Sequence, residues 1–250
     1  MNVKRLALSA VFSLAALSTA HASEVIVGAA ASLTNAFKAV GEQYEAENPG
    51  VKVTFTFGAS DVVLQQIING APVDIFASAD QNAMNKAADA KAIEPATRKD
   101  FVRNEVVLIA PKGAKVEVKS VADLKKAEVT RVAIGNPASV PVGRYTQAGL
   151  QQSGDWVAIE PKLLNAQNVR QALDYVMRGE VDAGFVFGTD AAVAADKVVK
   201  VQSLATPEAV LYPIALTTRN NRGEKAKDFQ DYILSDKGQA ILAKFGFQKP

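Results

Sequence analysis

VIVGAAASLTNAFKAVGEQYEAENPGVKVTFTFGASDVVLQQIIN (residues 25–69) decides the fold class. VIVGAA (25–30) and VKVTFTF (51–57) are short β-rich runs, and the stretches after them, 33–47 and 61–69, carry helical periodicity. A strand, a helix, a strand and a helix at this spacing indicate parallel βαβ units. The alternation continues outward. Further strands are expected at VDIFASA (73–79), EVVLIAPK (105–112), RVAIG (131–135), PKLLNA (161–166), AGFVFG (183–188), VVKVQSL (198–204) and YPIALTT (212–218). Helices are expected over 81–89, 121–127, 143–153, 169–179, 222–234 and 236–245. The chain therefore reads as an α/β protein, without internal repeats or low-complexity segments.

The helix starts narrow the function. Ser32-Leu33, Ser60-Asp61, Pro141-Val142-Gly143 and Asn168-Val169 each stand where a strand or turn hands over to a helix. Ser and Asn are good N-caps, and Pro suits a first turn. In an open α/β sheet, ligands bind beyond the C-terminal ends of the strands. Helix N-termini gather there, with unpaired N–H groups and the positive end of the dipole. Such a place holds an anion without any cationic side chain. Ordinary capping explains any one of these starts by itself.

The chain opens MNVKR, continues LALSAVFSLAALS and closes the segment with TAHAS, where Ala20 and Ala22 give an A-x-A arrangement. These are the three parts of an export signal, with cleavage expected after Ala22 and a mature start at Ser23. The full chain has 28 Lys and Arg against 26 Asp and Glu; without Lys4 and Arg5 the count is 26 against 26, and formal charge falls from +2 to zero. A neutral mature chain gives no indication of nucleic acid or an anionic membrane surface as partner. There is no cysteine, and the single histidine, His21, lies in the signal segment. Ser-His-Asp and Cys-His catalysis are thereby excluded from the mature chain, as are zinc sites built on those residues.

AAASLTNAF (29–37), GAPVDIFASADQNAM (70–84), IGNPASVPVGRY (134–145), NVRQALDYVMRGEVDAGFVFGTDA (168–191) and ILSDKGQAILAKFGF (233–247) together resemble the periplasmic molybdate-binding proteins of ABC importers. The likeness runs the length of the mature chain, and GAPVDIFASAD and NPASVPVGRY are its most specific parts. It implies a two-lobe periplasmic binding protein fold. Each lobe is a mixed, mostly parallel sheet flanked by helices, and a two-strand hinge joins them. Lobe one is expected over 23–104 plus 219–250 and lobe two over 105–218, with crossovers near Arg103–Ala110 and Tyr212–Arg219. Pro111 and Pro213 are placed to restrict the hinge.

The resemblance also implies the site. Ser32 and Ser60 supply hydroxyl and backbone donors from the first lobe, and Val142 and Val169 supply backbone N–H groups from the second. Relatives usually have Tyr where this chain has Phe187, so one hydroxyl is missing from that wall of the pocket. Asp61, beside Ser60, is expected to turn away and favour the dipole of its own helix. Arg144 and Arg170 are expected on solvated helix faces. The ligand implied is molybdate or tungstate, passed to the importer's permease in the inner membrane by a monomeric periplasmic protein with no cofactor and no enzymatic activity.

The chemistry of the ligand suits neutral donors. A tetrahedral dianion has only acceptors, so converging donors satisfy it with charge-assisted bonds. Hydrogen phosphate carries a proton that an all-donor pocket leaves unpaired. Sulfate is fully ionised, and only its size tells against it. A sulfate carrier, a sensing module and an extracytoplasmic enzyme on an α/β scaffold are the competing readings; no G-x-S-x-G elbow supports the last.

Overall fold

The computed structural model describes residues 23–250. The export-signal reading of 1–22 lies outside the described residues. β1 (Ser23–Ala30), α1 (Thr34–Glu47), β2 (Val51–Gly58), α2 (Ser60–Ile68), β3 (Ile75–Ala77), α3 (Gln81–Asp89) and β4 (Lys99–Asn104) come first. After Glu105 follow β5 (Val106–Pro111), β6 (Val132–Gly135), α4 (Pro141–Gln152), α5 (Trp156–Ile159), β7 (Leu163–Ala166), α6 (Val169–Met177), β8 (Ala183–Phe187), α7 (Gly188–Val193) and β9 (Val198–Leu204). β10 (Val210–Leu216), α8 (Ala226–Leu234) and α9 (Asp236–Lys244) complete the chain.

The strands form two five-stranded sheets, ordered β2-β1-β3-β10-β4 and β7-β6-β8-β5-β9. In each, three parallel strands are extended by an antiparallel pair. The parallel strands are buried because helices cover them, and their sequences show it: Val25, Val27 and Ala29 of β1 and all four residues of β6 are inaccessible or nearly so. α1 buries Ala36, Phe37, Val40, Gly41 and Tyr44, a single stripe at helical spacing. Two lobes result, and the chain crosses between them at Glu105 and again between β9 and β10.

That second crossover departs from the expected boundary. β10 pairs with β3 and β4, so the return to the first lobe begins at Val210, not at 219, and Tyr212 belongs to the first sheet. The run YPIALTT reads as an apolar strand whichever sheet it joins, because partner choice is a tertiary matter. Pro213 sits at an irregularity of register between Tyr212 and Pro213. β4 was not expected at all: KDFVRN places its two apolar residues side by side rather than alternating. α5 and α7 span four and six residues, too short to show a period. The stretch expected as a helix at 121–127 is a 3-10 turn, Val121–Lys125.

Candidate functional site

β1, β2, β6, β7 and β8 all end at the cleft between the lobes, and each is followed by a helix start or tight turn. Ser32 lies in a 3-10 turn, Ala31–Leu33, between β1 and α1. Ser60 is the first residue of α2, after Ala59. Val142 is in the first turn of α4, whose N1 residue is Pro141. Val169 opens α6. Phe187 ends β8 and precedes α7. All five line one cavity, together with Ala30, Ala31, Gly58, Ala59, Ala79, Val140, Pro141 and Asn168. The cavity is about 10 Å³, close to the space one water-sized sphere occupies.

The helix starts are built to leave donors free. The residues preceding the turns at Ser32, Ser60 and Val142 are Ala30, Ala59 and Val140, and no side chain caps any of these three. A helix leaves its first N–H groups without partners. Because Pro141 has no N–H, Val142 carries the first available donor of α4. α6 differs: Asn168 caps it by accepting from Gln171 N–H at 3.0 Å, which leaves the earlier N–H of Val169. The serines are therefore not the caps their position suggests. Ser60 follows the N-cap, and its Oγ instead accepts from Ala79 N–H at 3.0 Å. With its lone pair engaged there, the Ser60 hydroxyl keeps its own proton to donate.

Small residues let the backbones approach. A Cβ on Gly143 would stand 1.9 Å from the carbonyl oxygen of Gly135, so α4 abuts the end of β6 only because residue 143 has no side chain. Val142, the residue before it, lines the cavity.

Ser32 Oγ lies 2.9 Å from Tyr212 Oη. Tyr212 is fully buried, and burial pushes its phenol well above the ordinary range, so it stays protonated. Asn104 Nδ2 reaches Tyr212 Oη at 3.3 Å and Thr189 Oγ1 at 2.9 Å. The Phe187 ring packs edge-on against Tyr212 at 5.6 Å and against Tyr145 at 6.5 Å. Sequence reasoning missed both Tyr212 and Asn104. The only signal was a tyrosine inside an apolar strand, which reads as core.

Beside the cavity, charges join the lobes. Arg144, on α4, donates to Asp61 Oδ2 at 2.5 Å and to Asp80 Oδ2 at 2.8 Å, both on the first lobe. Lys86 pairs with the other oxygen of Asp61 at 2.8 Å. Asp61 does sit in the first turn of its helix, but it also faces the opposite lobe, and Arg144 is not on a solvated face. Neither is Arg170. It holds the fully buried Asp190 at 2.6 Å and reaches across to Asn35 Oδ1 at 2.8 Å. Burial raises the Asp190 carboxyl to about 6 against the pull of Arg170. These pairings could not be read from helical spacing, since each partner comes from the other lobe or from a distant element.

Among the described residues, no group of three or more His, Cys, Asp or Glu is placed to hold a metal ion, and no helix is long and apolar enough to cross a membrane. Two α/β lobes that meet at a small cavity lined by helix and turn starts define a solute-binding protein of the two-lobe kind. The chain belongs to the family described as bacterial extracellular solute-binding proteins, which matches residues 25–248. It is 38% identical to the molybdate-binding protein ModA of Escherichia coli, over 94% of this chain and 93% of that one. Two solved structures share the fold at lower identity. The periplasmic molybdate-binding protein of Azotobacter vinelandii superposes with a TM-score of 0.79 at 24% identity, over 90% of this chain and 99% of that one. The sulfate-binding protein SubI of Mycobacterium tuberculosis gives 0.76 at 18%, over 91% and 87%.

Proposed function

We infer that this chain is the periplasmic solute-binding component of an ABC importer, capturing molybdate or tungstate between its lobes. The anion is held by the hydroxyls of Ser32 and Ser60 and by backbone N–H groups at Ser32, Ser60, Val142 and Val169, with Phe187 as an apolar wall. The observation that carries the reading is the convergence of uncapped helix and turn starts on one small cavity. A tetrahedral dianion supplies acceptors to all of them, whereas a protonated ligand finds an acceptor there only where a serine turns its own proton away. Tungstate differs little in size from molybdate, so both should enter. The 38% identity to a molybdate-binding protein supports the same assignment.

A sulfate binder shares the fold, so the choice of anion rests on the site. Calorimetric titration of the mature chain with molybdate, tungstate, sulfate and phosphate tests it. The first two should bind and raise the melting temperature by mass action, and the last two should not. Equal binding of sulfate would make this a carrier of another oxyanion.

A further inference from the structure

Ser60 and Ser32 must both present a proton to a dianion, yet a hydroxyl can turn either its proton or its lone pairs inward. The backbone settles this for Ser60, through Ala79 N–H. No backbone donor is bonded to Ser32 Oγ; its neighbour is Tyr212 Oη, and either oxygen could donate to the other.

The direction follows from the next link. Glu105 N–H donates to Asn104 Oδ1 at 2.9 Å, which identifies the carbonyl end of that amide. Asn104 Nδ2 therefore carries the two protons, and it has two acceptors, Thr189 Oγ1 at 2.9 Å and Tyr212 Oη at 3.3 Å. Tyr212 Oη accepts from Asn104, so its single proton is directed to Ser32 Oγ. Ser32 then accepts from Tyr212, and its own proton faces the cavity. The phenol cannot supply a charge instead, because burial keeps it neutral.

We propose that Tyr212, oriented by Asn104, is a positioning residue that fixes Ser32 as a hydrogen-bond donor to the bound oxyanion. This deepens the function proposed above and rests on it. The chain of bonds starts at the crossover, where Asn104 ends β4, and reaches Thr189 of the second lobe as well as Ser32 of the first. The path from Asn104 through Tyr212 to Ser32 lies within the first lobe, and the bond to Thr189 ties Asn104 to the second. The arrangement also bears on Phe187. With no hydroxyl at 187, Tyr212, whose ring packs on Phe187, is the phenol bonded to the serine of the site.

The test is a double-mutant cycle read by calorimetric titration with molybdate: wild type, Tyr212→Phe, Ser32→Ala and the double variant. Tyr212→Phe keeps the ring and removes the proton that orients Ser32, and binding should weaken about tenfold. In the Ser32→Ala background the same substitution should change the affinity less than about twofold, because nothing remains to orient. Tyr212→Phe should also narrow the preference for molybdate over hydrogen phosphate, since the freed Ser32 oxygen can accept a ligand's proton. Asn104→Asp provides a second route should the first variant fold poorly. It replaces the donor by an acceptor and draws the Tyr212 proton away from Ser32. Any loss due to its charge alone would persist in the Ser32→Ala background, and loss through the relay would not. Equal losses in both backgrounds, or no loss in either, would overturn the proposal while leaving a molybdate-binding wild type intact. Failure of the wild type to bind molybdate would overturn the underlying function instead.

Discussion

Ser60 performs two tasks with one oxygen. It accepts Ala79 N–H within a fully buried environment, and it keeps a proton for the cavity. Ser60→Ala should therefore do more than remove a ligand contact. The orphaned Ala79 N–H should lower apo stability by about 1–3 kcal/mol, visible as a lower melting temperature without anion. Loss of the charge-assisted bond should weaken molybdate binding by about one to two decades, measured by titration. An unchanged apo melt would mean that water replaces the lost oxygen. At this scale the sequence was informative about backbone and poor about side chains. Ser32, Ser60, Val142 and Val169 could be singled out because each marks a strand-to-helix junction, and junctions are local. Tyr212 and Asn104 could not, because Tyr212 lies 180 residues from its partner Ser32 and 108 from its partner Asn104. The same holds for Arg144. An arginine on a helix looks solvated until the fold brings Asp61 and Asp80 to face it.

Among the elements, α4 has the tightest seat. Its first turn abuts the end of β6, and Gly143 is the residue that allows it. Gly143→Ala would push a methyl group onto the Gly135 carbonyl, a backbone atom that cannot rotate away. The helix must then retreat, and the Val142 N–H retreats with it. The expected result is a folded protein destabilised by about 1–3 kcal/mol, as for other overpacked sites, with molybdate affinity reduced well beyond that of an exposed helix control such as Lys38→Ala. Thermal melts and titrations of the two variants compare them directly, and equal affinities would show that α4 does not seat a donor. Elements with a clear period were legible: α1, α3, α6 and the parallel strands all fall close to their expected spans. β4 was hidden because Phe101 and Val102 adjoin, and α7 because six residues cannot establish a helical repeat.

Across the whole molecule, the ion pairs beside the cavity govern how the lobes meet. Arg144 brings one positive charge to two carboxylates of the opposite lobe, and Lys86 adds a second. The cluster is balanced, two positive charges against two carboxylates. Arg144→Gln removes that balance and the tie between lobes together. Small-angle scattering should show a larger apo radius of gyration, with the molybdate-bound radius unchanged. Affinity should fall about tenfold, through a smaller closed population and through repulsion by Asp61 and Asp80. Scattering identical to wild type in both states would show that the pair does not hold the cleft.

The order of the first sheet bears on how the chain is made. β4 has a single neighbour there, β10, and β10 also separates it from β3. Lobe two, by contrast, draws its whole sheet from β5 to β9, one continuous stretch of chain. During synthesis, that lobe can assemble as soon as β9 emerges. β4 must wait, its edge unpaired, until a strand more than 100 residues downstream arrives to dock against it. Long-range pairing of this sort is slow and exposes strand edges to misassociation. A lone edge left waiting in this way is the part of the first sheet open longest to wrong partners, and the arrival of β10 closes it.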